Sequence, residues 1–293
     1  MRGAATDRAG LLASASAGDA EAQFKLGLSY DLAKPRDARR AVNWYMAAAE
    51  RGNTEAQTLV GESLRDGVGV RPNARDAVKW FRLAAAAGDA DAQLSLGFCL
   101  WYGQGVRRDR AAALRWYRAS AEQGNDRAAY NLGQAYRKGY GVGKSLTRAL
   151  QWYEKAATTG HVDALHWLAR IHGGSEVGFP GDPAAELLWL RRAARAGDAE
   201  SITNLGVRYH EGHGARKNFK LAADLYRRGA RGGDTWAQYL LGLCYRDGEG
   251  VRRDRRVARV WFRRAATRHP EARLDLRRLA LSRATRRRTR GRT

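Results

Sequence analysis

GDADAQLSLGFCLWYGQGVRRDRAAALRWYRASAEQG, residues 88–124, decides how the chain is read, because it is one copy of a repeat. Its opening glycine returns at Gly52, Gly88, Gly124, Gly160, Gly197 and Gly233, at spacings of 36, 36, 36, 37 and 36 residues, and a shortened first copy starts at Gly18. A fixed period of this size marks a stacked array, in which no copy buries its apolar face alone and each relies on its neighbours.

Inside each copy an Asp or Asn follows the opening glycine, at Asp19, Asn53, Asp89, Asn125, Asp198 and Asp234, with only His161 departing. That is a helix N-cap signature. The Ala-rich segment behind it runs into a Gly-x-Gly-Val loop, such as Gly103-Gln104-Gly105-Val106, which ends the helix. A second cap lies seven residues before an aromatic position, at Asp37, Asn73, Asp109, Ser145, Asp182, Asn218 and Asp254, and Pro183 takes the favoured first helical place. Each copy is therefore predicted to be helix, short loop, helix.

The second helix carries a Trp at its centre in six copies, Trp44, Trp80, Trp116, Trp152, Trp189 and Trp261, with Leu225 in the other. Its apolar residues recur on one narrow helical face, as Ala77, Trp80 and Ala84 do. Burying about 150 to 250 Å² per Trp stabilises by roughly 4 to 6 kcal/mol at 25 cal/mol/Å², an upper bound. These tryptophans are expected to nail adjacent helices together. The first helix carries a complementary pair, Leu26-Gly27, Val60-Gly61, Leu96-Gly97, Leu132-Gly133, Leu205-Gly206 and Leu241-Gly242, replaced once by Leu168-Ala169. Glycine inside a helix costs about 1 kcal/mol against Ala, so its recurrence implies that a neighbouring helix or a Trp ring approaches closely there.

The full pattern, Leu96-Gly97, Gly103, Gly105-Val106, Asp109 and Trp116-Tyr117, then Leu132-Gly133, Tyr136, Gly139, Gly141-Val142 and Trp152-Tyr153, resembles the Sel-one-like (Sel1-like) repeat, SLR, a relative of the tetratricopeptide repeat. The resemblance covers roughly residues 18 to 268. It implies an all-α, right-handed α-solenoid of about seven antiparallel helix pairs that holds other proteins together. Copy one lacks the loop glycines, copy five lacks the Gly-x-Gly-Val loop and copy six has Leu225, so local geometry is least determined there.

The expected division is an N-terminal segment or cap over 1–17, seven repeats over 18–268, a capping helix over 269–282 and a basic disordered tail over 283–293. In the capping helix, leucines at helical spacing are expected to close the last Trp layer. The N-terminus has no apolar run of signal-peptide length and no later stretch approaches a membrane span, so a soluble, cytoplasmic, monomeric protein is expected. Cys99 and Cys244 stand four repeats apart and read as small buried hydrophobes in a reducing compartment.

Net charge is +23, and residues 246–293 hold eighteen Arg against five acids, a local +13. The tail residues Arg286, Arg287, Arg288, Arg290 and Arg292 are the candidates for contact with RNA, DNA or a ribonucleoprotein, through counterion release. Basic tails are also common and often inert. His210-Glu211-Gly212-His213 is one residue short of a zincin spacing and falls in a loop, so no metal site is expected. His166 and His172 read as packing histidines. The Gly-x-Gly loops lack the strand and the Gly-Lys-Ser/Thr of a phosphate cradle, and no nucleophile motif stands anywhere, so neither cofactor nor catalysis is expected.

Binding is then expected where the skeleton leaves positions free, on the first helices, which line the concave face in tetratricopeptide arrays. The residues flanking the Leu-Gly pair vary from copy to copy, and the middle copies offer Asn131, Gln134, Trp167, Arg170, Asn204 and Arg208 for a protein or peptide partner. Trp167 beside Arg170 has hot-spot composition, and it fits equally as filler where copy five departs from pattern. The unusual loop from Gly173 to Pro183 is a further candidate binding element or simple drift.

Overall fold

The computed structural model describes residues 2–177 and 179–290, with side chains over 9–177 and 179–280, and all regular structure among them is helical. Two compact units are distinguished, residues 1–159 and 160–293. The first holds α1 (Arg2–Ser16), α2 (Ala20–Asp31), α3 (Ala38–Glu50), α4 (Thr54–Asp66), α5 (Ala74–Ala86), α6 (Ala90–Tyr102), α7 (Arg110–Glu122), α8 (Asp126–Lys138) and α9 (Leu146–Ala157). The second holds α10 (Val162–His172), α11 (Pro183–Arg195), α12 (Ala199–Glu211), α13 (Phe219–Arg231), α14 (Thr235–Asp247), α15 (Arg255–Ala265) and α16 (Pro270–Arg290). Within each unit every helix packs on the next, so the core is a series of layers rather than one centre.

The caps are where the sequence places them. Asp89 accepts from Ala92 N at 2.7 Å and Asp109 from Ala112 N at 2.8 Å, and the same bond recurs through both sets of caps. Even His161 serves, its Nδ1 accepting from Ala164 N at 3.4 Å. A set of glutamines, Gln23, Gln57 and Gln93, was not singled out by pattern. Each is buried and donates to the last turn of the preceding helix, to Ala15 O, Ala49 O and Ala85 O at 3.0, 3.2 and 3.3 Å.

The nail is not the tryptophan. All six central Trp are only half-buried, and the residue after each is the buried one, Tyr45, Phe81, Tyr117, Tyr153, Leu190 and Phe262; in copy six both Leu225 and the following Tyr226 are buried. These rings, not the tryptophans, lie on the Leu-Gly glycines. A Cβ at Gly27, Gly61, Gly133 or Gly242 would stand 2.5 Å from the ring of Tyr45, Phe81, Tyr153 or Phe262, and at Gly97 or Gly206 2.7 Å from Tyr117 or Tyr226. Position along the helix explains the difference, because the residue one step on points at the partner helix and the Trp lies beside the seam. Copy five changes both partners together, with Ala169 and Leu190 buried in one cluster and no ring to admit.

The loops do more than turn. A Cβ at Gly69, Gly105 or Gly250 would overlap the carbonyl oxygen of Ala38, Ala74 or Phe219, the first residue of the second helix one copy earlier. Consecutive copies are thus locked backbone to backbone. In copy five the atoms nearest a Cβ at Gly174 belong to Gly181 of the same loop. At the far end Ala272 and Leu279 of α16 pack with Phe262 and Ala265, whereas Leu274 is exposed, so the cap closes on Phe262 and not on a Trp layer. α16 continues as helix to Arg290, past the boundary expected at 282.

Candidate binding surfaces

In the first unit the variable positions Asn131 and Gln134 lie on α8 and line a cleft of about 440 Å³. Its opposite wall comes from the last turns of α6, with Phe98, Trp101 and Tyr102. Phe98 and Tyr102 pack at a tilt with centroids 4.6 Å apart, and Trp101 packs at a tilt against Tyr140 of the following loop at 6.4 Å. The Arg110 guanidinium lies over both Trp101 and Tyr140, at 5.3 and 5.0 Å. Gln134 donates to Tyr130 Oη at 2.7 Å and accepts from Arg137 at 3.1 Å, which fixes its amide on the rim. The aromatic wall was not legible, since aromatics read as core; the one available signal is that Trp101 and Tyr102 follow the packing positions of α6 immediately before its terminating glycine.

In the second unit Arg170, Asn204 and Arg208 line a smaller cleft of about 230 Å³ between α10 and α12. Arg208 is committed there. Its Nε and Nη2 reach Oε1 of the buried Glu186 at 2.9 Å, and its Nη1 reaches Glu211 at 3.2 Å. A buried carboxylate needs that partner, so Arg208 has a structural duty. Arg170 stacks over Trp167 at 5.0 Å and approaches Glu200 at 4.0 Å. Trp167 itself is half-buried, between the two roles its sequence allows.

Beside this cleft His166 Nδ1 meets Asp198 Oδ2 at 3.0 Å. Donating a hydrogen bond to Asp198 raises the His166 pKa against the opposing effect of burial, with Glu200 adding to the rise. Burial would raise the Asp198 carboxyl, but hydrogen bonds from His166 and Ser201 outweigh it and hold the group below its ordinary value. The loop of copy five is anchored at its base, by Asp182 N to His172 O at 2.8 Å and Ser175 Oγ to Arg170 O at 2.6 Å, while Val177 at its tip is 94% exposed.

His210 is taken up by Glu249 at 2.8 Å and packs edge-on to Phe219. Among the described residues no three His, Cys, Asp or Glu side chains gather as a metal would require. Cys99 and Cys244 are both free and buried. No helix among the described residues is long and apolar enough to cross a membrane. The side chains of Arg286, Arg287, Arg288 and Arg290 lie outside the described residues, as does Arg292 altogether.

The Sel1 repeat profile matches seven times, over residues 20–53, 54–89, 90–125, 126–161, 162–198, 199–234 and 237–269. A protective antigen of uropathogenic Escherichia coli strains that displays an SLR fold is 31% identical, with a TM-score of 0.87 over 92% of this chain; the chain spans 58% of that protein. A Sel1 repeat protein from Oxalobacter formigenes is 28% identical, with a TM-score of 0.68 over 83% of this chain and 96% of its own. No functionally curated protein matches the chain.

Proposed function

This chain belongs to the Sel1 repeat family, whose members generally act in protein–protein interaction, and from that premise we propose that it is a non-enzymatic adaptor holding protein partners against its first helices. One observation carries the reading. The positions flanking the fixed Leu-Gly pairs, which the packing leaves free to vary, line a cleft in each unit: Asn131 and Gln134 in one, Arg170 and Asn204 in the other. Arg208 lines the second cleft as well, held in place by Glu186 and Glu211, and belongs to the same proposed surface. Action as a monomer in the cytoplasm belongs to the same proposal, and the two free buried cysteines accord with a reducing compartment.

The test is site-directed photo-crosslinking. A photoreactive phenylalanine analogue at Asn131 or Asn204 is expected to capture a defined protein in cells, whereas the same group at Arg115, exposed on the second helix of copy three, is not. Capture from Arg115 alone, or from none of the three, removes this assignment of the binding face.

A further inference from the structure

We propose that the cleft between α6 and α8 receives an acidic peptide segment that inserts one aromatic or large aliphatic side chain among Trp101, Tyr102 and Tyr140. This names the kind of partner for one of the two clefts and rests on the adaptor reading above.

The apolar half of the recognition is the aromatic wall. Tyr102 is 61% exposed and Tyr140 44% exposed, although each has a ring partner that fixes its orientation. Rings held rigidly in a concave surface offer contact area at small entropic cost, which is the character of an interface anchor. Tyr117, 2% exposed, closes the floor, so an inserted side chain would meet apolar surface on its way in.

The charged half is one-sided. Arg110 and Lys138 line the cleft and no carboxylate does. Arg110 lies over Trp101 and Tyr140, and Lys138 Nζ lies 5.8 Å from the Tyr140 ring. Cation stacking leaves the edge of a guanidinium free to donate, so a carboxylate entering the cleft can pair with Arg110, whereas a basic ligand would meet two cations. The chain's net +23 further favours encounter with acidic segments. A single-stranded nucleic acid also combines rings with anions, but its phosphates recur along a backbone and call for a track of cations. Here only two cations line the cleft, both over the one ring of Tyr140, at 5.0 and 5.8 Å.

The intact chain is titrated with a fluorescein-labelled peptide bearing a central Phe between runs of Glu, and with counterparts carrying Ser for Phe or Lys for Glu. Anisotropy is expected to show the Glu/Phe peptide binding at least about tenfold tighter than the Ser peptide, and the Lys peptide not binding. Tyr102→Ala with Tyr140→Ala is expected to erase the Phe preference, and Arg110→Gln or Lys138→Gln to weaken binding by about tenfold and reduce its salt dependence, each with an unchanged melting temperature. Equal binding of the Phe and Ser peptides overturns the proposal, as does binding that these variants leave intact, which would place the acidic peptide on the Arg-rich end. Tighter, Tyr102-dependent binding of a fluorescein-labelled oligouridine overturns it in favour of RNA. Crosslinks from Asn131 that persist while the peptide fails would leave the adaptor standing and remove only this inference.

Discussion

At Gly133 an added methyl group would stand 2.5 Å from Cδ1 and Cε1 of Tyr153, a ring with no exposed surface. Gly133→Ala is therefore expected to lower stability by about 1 to 3 kcal/mol in urea unfolding, although Ala is the better helix former. The reverse arrangement exists in copy five, where Ala169 and Leu190 share a buried cluster. Ala169→Gly and Leu190→Tyr should each destabilise alone, and combined they should recover at least about 1 kcal/mol of the summed loss in a double-mutant cycle. Strict additivity would show that the glycine does not exist to admit the ring. His166 and Asp198 give a pH signature at the same scale. The His166 pKa is raised on folding, so its contribution is complete below the unfolded value near ~6.5 and is lost as pH rises through the folded one. Asp198 is lowered, so its contribution is present above its unfolded value near ~3.9 and lost as pH falls through the folded one. Glu200, at 3.9 Å from His166 Nε2, reinforces the first effect and Arg170 opposes it. The stability difference between the wild type and His166→Gln is thus expected to be largest near pH 5 to 6 and to shrink by pH 8; a difference that grows with pH would contradict the pairing.

For the elements, the question is what each loop glycine does. Gly103 and Gly105 both hold positive φ, 77° and 68°, so Ala is strained at either. Only at Gly105 would the new Cβ also overlap the Ala74 carbonyl of the preceding copy; at Gly103 the nearest atom is Arg108 Cβ, at 3.3 Å. Gly103→Ala is expected to cost about 1 kcal/mol and Gly105→Ala more than twice that, with faster amide exchange at the start of α5 in the second variant alone. Equal costs would reduce the loop to a turn. The helices around these loops were legible because caps, terminating glycines and apolar spacing are local. The identity of the buried ring was not, because Trp116 and Tyr117 are adjacent aromatics and a one-residue change of facing is settled only by where the partner helix lies.

For the whole molecule, stability is the sum of neighbouring layers, so a defect at one end should stay local. α16 closes the second unit through Ala272 and Leu279 on Phe262, and Asp275, 4% exposed, accepts from Tyr239 Oη at 3.2 Å and from Arg246 at 3.0 Å. Removing residues 270–293 is expected to raise amide exchange through α14 and α15 while α2 to α8 keep their protection; uniform loss would mean a single cooperative core. The sequence by itself determined the period, the helix pairs, the caps and the positions left free to vary, since each depends on residues close along the chain. Only tertiary structure decided which aromatic fills each glycine, that Arg208 neutralises buried Glu186, and that Trp101, Tyr102, Arg110 and Tyr140 converge on one cleft. Those facts join residues of different helices and loops, and the contacts that side chains make across such a gap follow from packing geometry rather than from spacing in sequence.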